Sequence, residues 1–195
     1  KPLTDYVNPL LGTATLWDSV DLGFKPTKRT WGAEVFPGSS LPNAMVQVSP
    51  VTKFHSGAGY QYEDSVIYGF THTNKGHWNL CHIPLLPVTG TPTPGDYCSP
   101  FSHERESAAP GYYQVFLDRY GVDAQLSSTL RCAFHKYTYP AGAAASLLAD
   151  LQRSNEHVRA WDIRKEGDNV FAGWQQTGEK MYFYAVANRP VTGIE

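Results

Sequence analysis

One segment in the first half of the sequence concentrates side chains that are suited to bind a polar ligand. It contains His72, His77 and His82 together with Trp78 and Asn79. Apolar runs that predict β-strands stand on both sides, so the segment is predicted to be a loop, where binding residues are often mounted. Imidazole, amide and indole groups would suit a sugar, whose hydroxyls form hydrogen bonds and whose C–H faces pack on aromatic rings. An ordered connecting loop with internally satisfied histidines is the alternative.

The spacing of these three histidines does not favour a metal site. They stand five residues apart, which differs from the i, i+4 spacing of helical zinc sites. It also differs from the two-residue alternation that places ligands on one face of a strand. The residue pattern therefore names no metal ligand.

The three cysteines, Cys81, Cys98 and Cys132, form no C-x-x-C pair, so a zinc or redox motif is not indicated. One disulfide with one free thiol remains open for an oxidising compartment. We expect instead three buried thiols that act as small apolar groups.

The sequence shows no pair of carboxylates arranged for glycoside hydrolysis. That reaction needs an acid and a base, or an acid and a nucleophile, facing each other across the bond. Most of the 18 Asp and Glu residues stand in turn-like or alternating exposed settings, and the adjacent Glu63 and Asp64 would point to opposite faces of a strand. No G-x-S-x-G motif is present. We therefore expect no catalytic residue in this chain.

Short apolar or alternating runs separated by turn residues predict a β-rich chain from Met45 onward. The clearest alternation places Tyr113, Val115 and Leu117 on one face. The predicted strands are 45–51, 66–73, 83–89, 112–119, 123–130, 131–139, 146–151, 158–163, 170–175 and 180–188.

Two stretches have compositions that differ from those of the other predicted strands. Residues 1–43 carry Pro and Gly too closely for a long helix or a central strand. Residues 141–157 are rich in Ala and Leu and resemble a helix, but Gly142 and the β-rich flanks favour strands. The sequence thus predicts a single all-β domain over 1–195, built as a sandwich or barrel.

Composition narrows the possible partners. The net charge is −2, which gives no reason to expect nucleic acid, and no apolar run is long enough for a membrane span. Aromatic residues make up 13% of the chain. Trp17, Trp31 and Trp78 fall in predicted loops and are candidates to stack on a sugar, whereas Trp161 and Trp174 fall in predicted strands and are expected in the core.

Seven blocks of sequence, in the same order, resemble glycoside hydrolase family 92, the calcium-dependent α-mannosidases. The blocks are YVNPLLGT at 6–13, FPGSSLP at 36–42, MVQVSP at 45–50, SGAGYQY at 56–62, IYGFTHT at 67–73, APGYYQV at 109–115 and RCAFHKY at 131–137. Each block alone is a weak signal, but the ordered set is specific. It covers nearly the whole chain and only the N-terminal domain of that family.

The resemblance implies a fold and a separation of roles between two domains. The N-terminal domain of this family is a large β-sandwich, a supersandwich similar to galactose mutarotase. It packs against a C-terminal (α/α)6 barrel, here expected after residue 195, that holds the catalytic acid and base. An isolated sandwich domain is therefore expected to be inactive. It is also expected to expose an apolar patch where the barrel would pack.

The resemblance also implies a chemistry. The family acts as inverting exo-α-mannosidases, and calcium binds the mannose hydroxyls. By position, His77, Trp78 and Asn79 would contact α-mannoside glycans of the α-1,2 type, with Trp17 and Trp31 as further stacking candidates. The family's role in glycan foraging implies a periplasmic, extracellular or cell-surface location. A carbohydrate-binding module without catalysis, and a related inverting glycosidase or phosphorylase acting on another sugar, are the alternatives.

Overall fold

The computed structural model of the chain describes residues 1–15, 34–75, 78–93 and 95–194. Two single-turn 3-10 helices, Leu3–Tyr6 and His103–Arg105, accompany the strands. The strands are β1 (Ser39–Ser40), β2 (Gln47–Val51), β3 (Val66–Ile67), β4 (Gly69–Thr71), β5 (Asn74–Lys75), β6 (Trp78–Asn79), β7 (Leu85–Thr89), β8 (Ser99–Pro100), β9 (Glu106–Ala109), β10 (Tyr112–Leu117), β11 (Val122–Ser128), β12 (Ala133–Thr138), β13 (Ala145–Ala149), β14 (Ala160–Gly167), β15 (Val170–Gln176) and β16 (Lys180–Val186). The predicted all-β class is confirmed.

Two antiparallel sheets enclose the main hydrophobic core. One has the strand order β1-β2-β4-β7-β13 and the other the order β12-β11-β10-β9. In β10 the side chains of Tyr113, Val115 and Leu117 are buried and alternate with more exposed neighbours, as the sequence predicts. Because one face of each sheet is buried against the other sheet, buried and exposed residues alternate along a strand, and this alternation is visible in the sequence. The core residues are Val48, Tyr60, Ile67, Phe70, Leu86, Val88, Tyr97, Phe101, Tyr113, Val115, Leu117, Tyr120, Val122, Ala124 and Leu126.

The predicted strand over residues 66–73 is divided in the structure. β3 pairs with β8, whereas β4 pairs with β2 and β7. Between them, the backbone N–H of Tyr68 donates to the carbonyl of Val51 at 2.8 Å. The chain changes its hydrogen-bonding partner at this residue, which an apolar run in the sequence cannot reveal.

The Ala- and Leu-rich region around residue 147 contains the predicted strand and not a helix. β13 pairs antiparallel with β7 from Ala145 opposite Thr89 to Ala149 opposite Leu85. Its two-residue alternation is less regular because this strand lies at the edge of its sheet.

Within the described ranges, no helix is long and apolar enough to cross a membrane.

A third sheet, of order β14-β15-β16, packs on the sandwich through a second apolar cluster. On the inner face, Ile163, Met181 and Phe183 pack against this cluster. On the opposite face, Tyr182 and Tyr184 stand exposed, so the expected apolar surface includes this face.

Three predictions about individual side chains are wrong. Trp174 is only partly buried, and it lies opposite Tyr182 on the exposed face of the third sheet and not in the core. Trp161 lies in β14 as expected, but its side chain is 44% exposed and not in the core. It stands near the start of the outer strand of the third sheet, where no layer covers it. Of the three free thiols, Cys81 is buried, Cys98 is partly buried and Cys132 is exposed, because Cys132 falls in the turn before β12 and not on its inner face.

Candidate functional site

The backbone is strained around the segment that the sequence singles out. His55, Cys81 and Ile83 have φ angles of 61°, 52° and 52°. These left-handed conformations are uncommon for residues other than glycine, and for the β-branched Ile83 the value is a genuine outlier. Such strain persists only where the surrounding structure enforces it, and it concentrates at functional sites. The strained residues therefore mark this region as the candidate site.

Side-chain carbonyl groups hold the two strained residues that follow β6. The Oδ1 atom of Asn79 accepts a hydrogen bond from the Cys81 N–H at 2.8 Å. The Oε1 atom of Gln175 accepts one from the Ile83 N–H at 3.0 Å. Both amides are buried, so breaking either bond would leave a buried polar group unpaired and costly.

A third amide, that of Asn155, joins the strained His55 to the same segment. Its Oδ1 atom accepts from the His55 N–H at 2.6 Å. Its Nδ2 atom donates to the carbonyls of Ser56 at 3.3 Å and of Asn79 at 2.6 Å. Its own backbone N–H donates to Leu80. One side chain thus fixes three chain segments relative to one another.

Strands β5 and β6 form a short hairpin, so the predicted loop is partly strand. Asn74 pairs with Asn79 and Lys75 with Trp78. His77, between the two strands in the sequence, lies outside the described residues. The Trp78 side chain is 49% exposed, so part of its surface can face a ligand or another domain.

The Asn79 side chain is turned inward. It is buried, and its Nδ2 atom donates to the Ala58 carbonyl at 3.3 Å and to Thr71 Oγ1 at 3.1 Å. With the acceptor bond from Cys81, its amide is engaged inside the domain. Its expected contact with a sugar stays a prediction that rests on the resemblance, whereas the structure gives it a positioning role.

Asn74, in strand β5 of this hairpin, has a side-chain amide without a partner among the described residues. Both its Oδ1 and its Nδ2 atom are buried without a hydrogen-bond partner among the described residues. A buried amide left in this state is costly and calls for an explanation such as a ligand. No signal in the sequence separates Asn74 from an ordinary loop asparagine.

His82 belongs to a directed chain of hydrogen bonds. The Thr177 hydroxyl donates to the Glu156 carboxylate, at 2.5 Å between Oγ1 and Oε2. Thr177 Oγ1 therefore accepts from His82 Nε2–H at 3.1 Å, and His82 Nδ1 accepts from the Thr73 hydroxyl at 2.9 Å. Burial lowers the pKa of His82, and the Thr177 hydrogen bond lowers the pKa of Glu156. His82 is thus neutral and Glu156 ionised at neutral pH.

His72 is engaged in a second, separate chain of hydrogen bonds. The Tyr137 hydroxyl donates to His135 Nδ1 at 2.7 Å, which makes His135 Nε2 the donor to His72 Nε2 at 2.9 Å. His72 Nδ1 then donates to the Ile83 carbonyl at 3.1 Å. Burial lowers the pKa of His72 to about 4 and lowers that of His135 well below its ordinary value. Both rings are neutral links between the two sheets.

The described parts of the chain hold no group of three His, Cys, Asp or Glu side chains that could bind a metal ion. His72 and His82 point into different hydrogen-bond chains and do not converge. Trp17 and Trp31 lie outside the described residues, so the structure leaves their predicted stacking role as a prediction.

The family model described as the glycosyl hydrolase family 92 N-terminal domain matches residues 6–195. The chain belongs to this family. No curated protein matches the chain at a significant level.

Solved structures of family 92 enzymes share the fold of this family 92 domain. The α-mannosidase BT3965 from Bacteroides thetaiotaomicron is 28% identical, with a TM-score of 0.84, covering 99% of this chain and 27% of its own. Its complex with mannoimidazole gives 29% identity and a TM-score of 0.83, covering 99% and 26%. The family 92 glycosyl hydrolase ccman5 is 26% identical, with a TM-score of 0.69, covering 93% and 25%. The chain thus spans about a quarter of the length of these relatives.

Proposed function

We propose that this family 92 domain is the N-terminal part of a secreted, calcium-dependent, inverting exo-α-mannosidase that removes α-1,2-linked mannose from glycans. The observation that carries the proposal is the match of 99% of the chain to an α-mannosidase whose structure is also known with mannoimidazole. The proposed location is the periplasm, the cell surface or the extracellular space.

In this proposal the β5–β6 hairpin forms one wall of the sugar pocket. Trp78 presents a half-exposed ring that stacks on the sugar and excludes water from that side. His77, which follows β5 in the sequence, exchanges a hydrogen bond with a sugar hydroxyl. Asn79 acts from beneath, because its amide holds the strained backbone that follows Trp78.

The catalytic acid and base are proposed to lie in a C-terminal barrel of the same polypeptide. Two acidic groups of the described residues, one near the core and one near the hairpin segment, are already engaged. The Glu106 side chain has no exposed surface and accepts hydrogen bonds from Tyr60 and Tyr113. Glu156 is held ionised by Thr177. Neither is placed to protonate a leaving group.

Calcium does not fit the described residues. Calcium takes six to eight oxygen ligands, several of them carboxylates, and the part of the chain that the structure describes gathers no such cluster. The proposed calcium requirement is therefore assigned to residues outside the described ranges, and none of the roles given to this domain depends on it.

The proposal predicts release of mannose from α-1,2-linked mannobiose by the full-length protein. Release should stop when a calcium chelator is added and return when calcium is restored. Proton NMR of the first product should show β-mannose, because an inverting mechanism reverses the anomeric configuration. The α-1,3-linked and α-1,6-linked mannobioses serve as matched substrates that test the linkage specificity.

Three results would contradict separate parts of the proposal. Activity that persists in the presence of the chelator would show that calcium is not required. The appearance of α-mannose as the first product would show that the mechanism is not inverting. Binding of mannosides without hydrolysis by the full-length protein would favour the carbohydrate-binding module.

A further inference from the structure

An open groove runs along the segment that follows β13. It consists of two depressions of about 420 and 430 Å³ that share Gln152 and Val158 in their walls. The end nearer the hairpin is lined by His55, Glu156 and His157. The other end is lined by Trp161, whose ring is 44% exposed.

Hydrogen bonds to neighbouring segments fix the floor of the groove. Gln175 Nε2 donates to the carbonyls of Leu151 at 3.0 Å and of Arg153 at 2.9 Å. The Ser154 hydroxyl donates to the Leu80 carbonyl at 2.9 Å. The groove is therefore preorganised, although it is built from irregular backbone, and a ligand would lose little affinity to ordering it.

The groove is linked to the candidate sugar site by a hydrogen bond. Asn155 stands between the groove residues Ser154 and Glu156 in the sequence, and its side chain donates to the Asn79 carbonyl at 2.6 Å. Asn79 directly follows the half-exposed Trp78. The same asparagine holds His55 in its left-handed conformation at the groove wall. Strain that is maintained by a side chain at a surface groove is typical of a ligand site.

The groove carries charged groups of both signs. Arg153 and Arg159 line it as positive groups and Glu156 lines it as a negative group. The Arg153 guanidinium also lies 5.2 to 5.8 Å from the centroids of three rings, those of Phe54, Tyr68 and Tyr97. Together with the imidazole, amide and indole groups of the groove, these side chains offer hydrogen bonds and a stacking surface to a sugar.

We propose that this groove binds the sugar residues of the glycan that lie beyond the mannose at the Trp78 hairpin. This inference rests on the proposed function and extends it to an oligosaccharide arm. Each of the two depressions, of about 430 and 420 Å³, falls in the size range of small-molecule sites. Trp161 stacks on a distal sugar, while Gln152 and His157 bind hydroxyl groups.

The test compares two substrates in the full-length protein. An aryl α-mannoside offers a single sugar, whereas α-1,2-linked mannotriose reaches into the groove. Trp161→Ala should lower the ratio of kcat/KM for mannotriose to kcat/KM for the aryl mannoside about tenfold, since a stacking contact of this kind is worth about one power of ten. The loss should fall mainly on KM, and Trp161→Phe should restore most of the ratio.

Tyr184→Ala is the matched control. Tyr184 is an exposed aromatic residue of the same sheet on the opposite face, so its removal should leave the ratio unchanged. An unchanged ratio in Trp161→Ala, or an equal fall in both variants, would overturn the proposal that the groove binds sugar residues. If the wild-type protein hydrolyses neither substrate, the proposed function fails, and the groove assignment fails with it.

Discussion

Replacing Gly59 by alanine is expected to destabilise the domain by about 4 kcal/mol. Gly59 has a φ of 77°, which costs an alanine about 1 kcal/mol. An added Cβ atom would also stand 2.5 Å from Nδ2 of Asn79. The Asn79 amide cannot turn away without breaking its bonds to Cys81 and Thr71, and each unpaired buried group costs about 1–3 kcal/mol. Urea unfolding of the chain measures the change.

Gly90→Ala separates the two contributions. Gly90 has a nearly equal φ of 73°, but no atom lies within 4 Å of its Cβ position. This variant should therefore lose only the conformational part, about 1 kcal/mol. Equal losses in the two variants would show that Asn79 is not held as tightly as its hydrogen bonds indicate. In the full-length protein, Gly59→Ala should in addition impair mannose release more than Gly90→Ala.

Acidification from pH 6.5 to pH 4 is expected to destabilise the chain by about 3 kcal/mol. Burial lowers the pKa of His72 from its ordinary value of 6.5 to about 4, and each pKa unit corresponds to about 1.4 kcal/mol. Because the folded pKa is the lower one, the unfolded chain takes up the proton first as the pH falls. The stability is complete above about pH 6.5 and is lost towards pH 4. The lowered pKa values of His82 and His135 act in the same direction.

Two variants test the source of this pH dependence. His135→Gln can still donate to His72 and accept from Tyr137, but it removes one group of lowered pKa, so the slope of stability against pH should become shallower. His157→Gln, which replaces an exposed histidine, should leave the slope unchanged. A slope that does not change in His135→Gln would contradict the assignment of a neutral His72–His135 pair.

The strands could be predicted from the sequence because burial on one face leaves a two-residue pattern. Tyr113, Val115 and Leu117 show this most clearly, and β10 is placed almost to the residue. The change of pairing at Tyr68 could not be predicted, because the partners of β3 and β4 lie in distant segments. The exposure of Trp161 could not be predicted for a related reason, because the residues around it do not reveal whether another layer of the structure covers it.

Only part of the candidate site could be predicted. The composition of the segment around Trp78 points to a binding role, because several polar and aromatic groups stand together. Asn155 and Gln175, which hold its strained backbone, are single amides 76 and 92 residues away from Asn79 and Ile83. A single amide has no distinguishing local pattern, so only the fold reveals that these residues act on the same segment.

We propose that this chain is the N-terminal, non-catalytic domain of an α-mannosidase. The most direct test measures mannose release from α-1,2-linked mannobiose by the full-length protein and by residues 1–195 alone, at equal concentration in calcium. We predict release by the full-length protein and none by the isolated domain. Absence of release from the full-length protein, or a comparable rate from residues 1–195 alone, would contradict the claim.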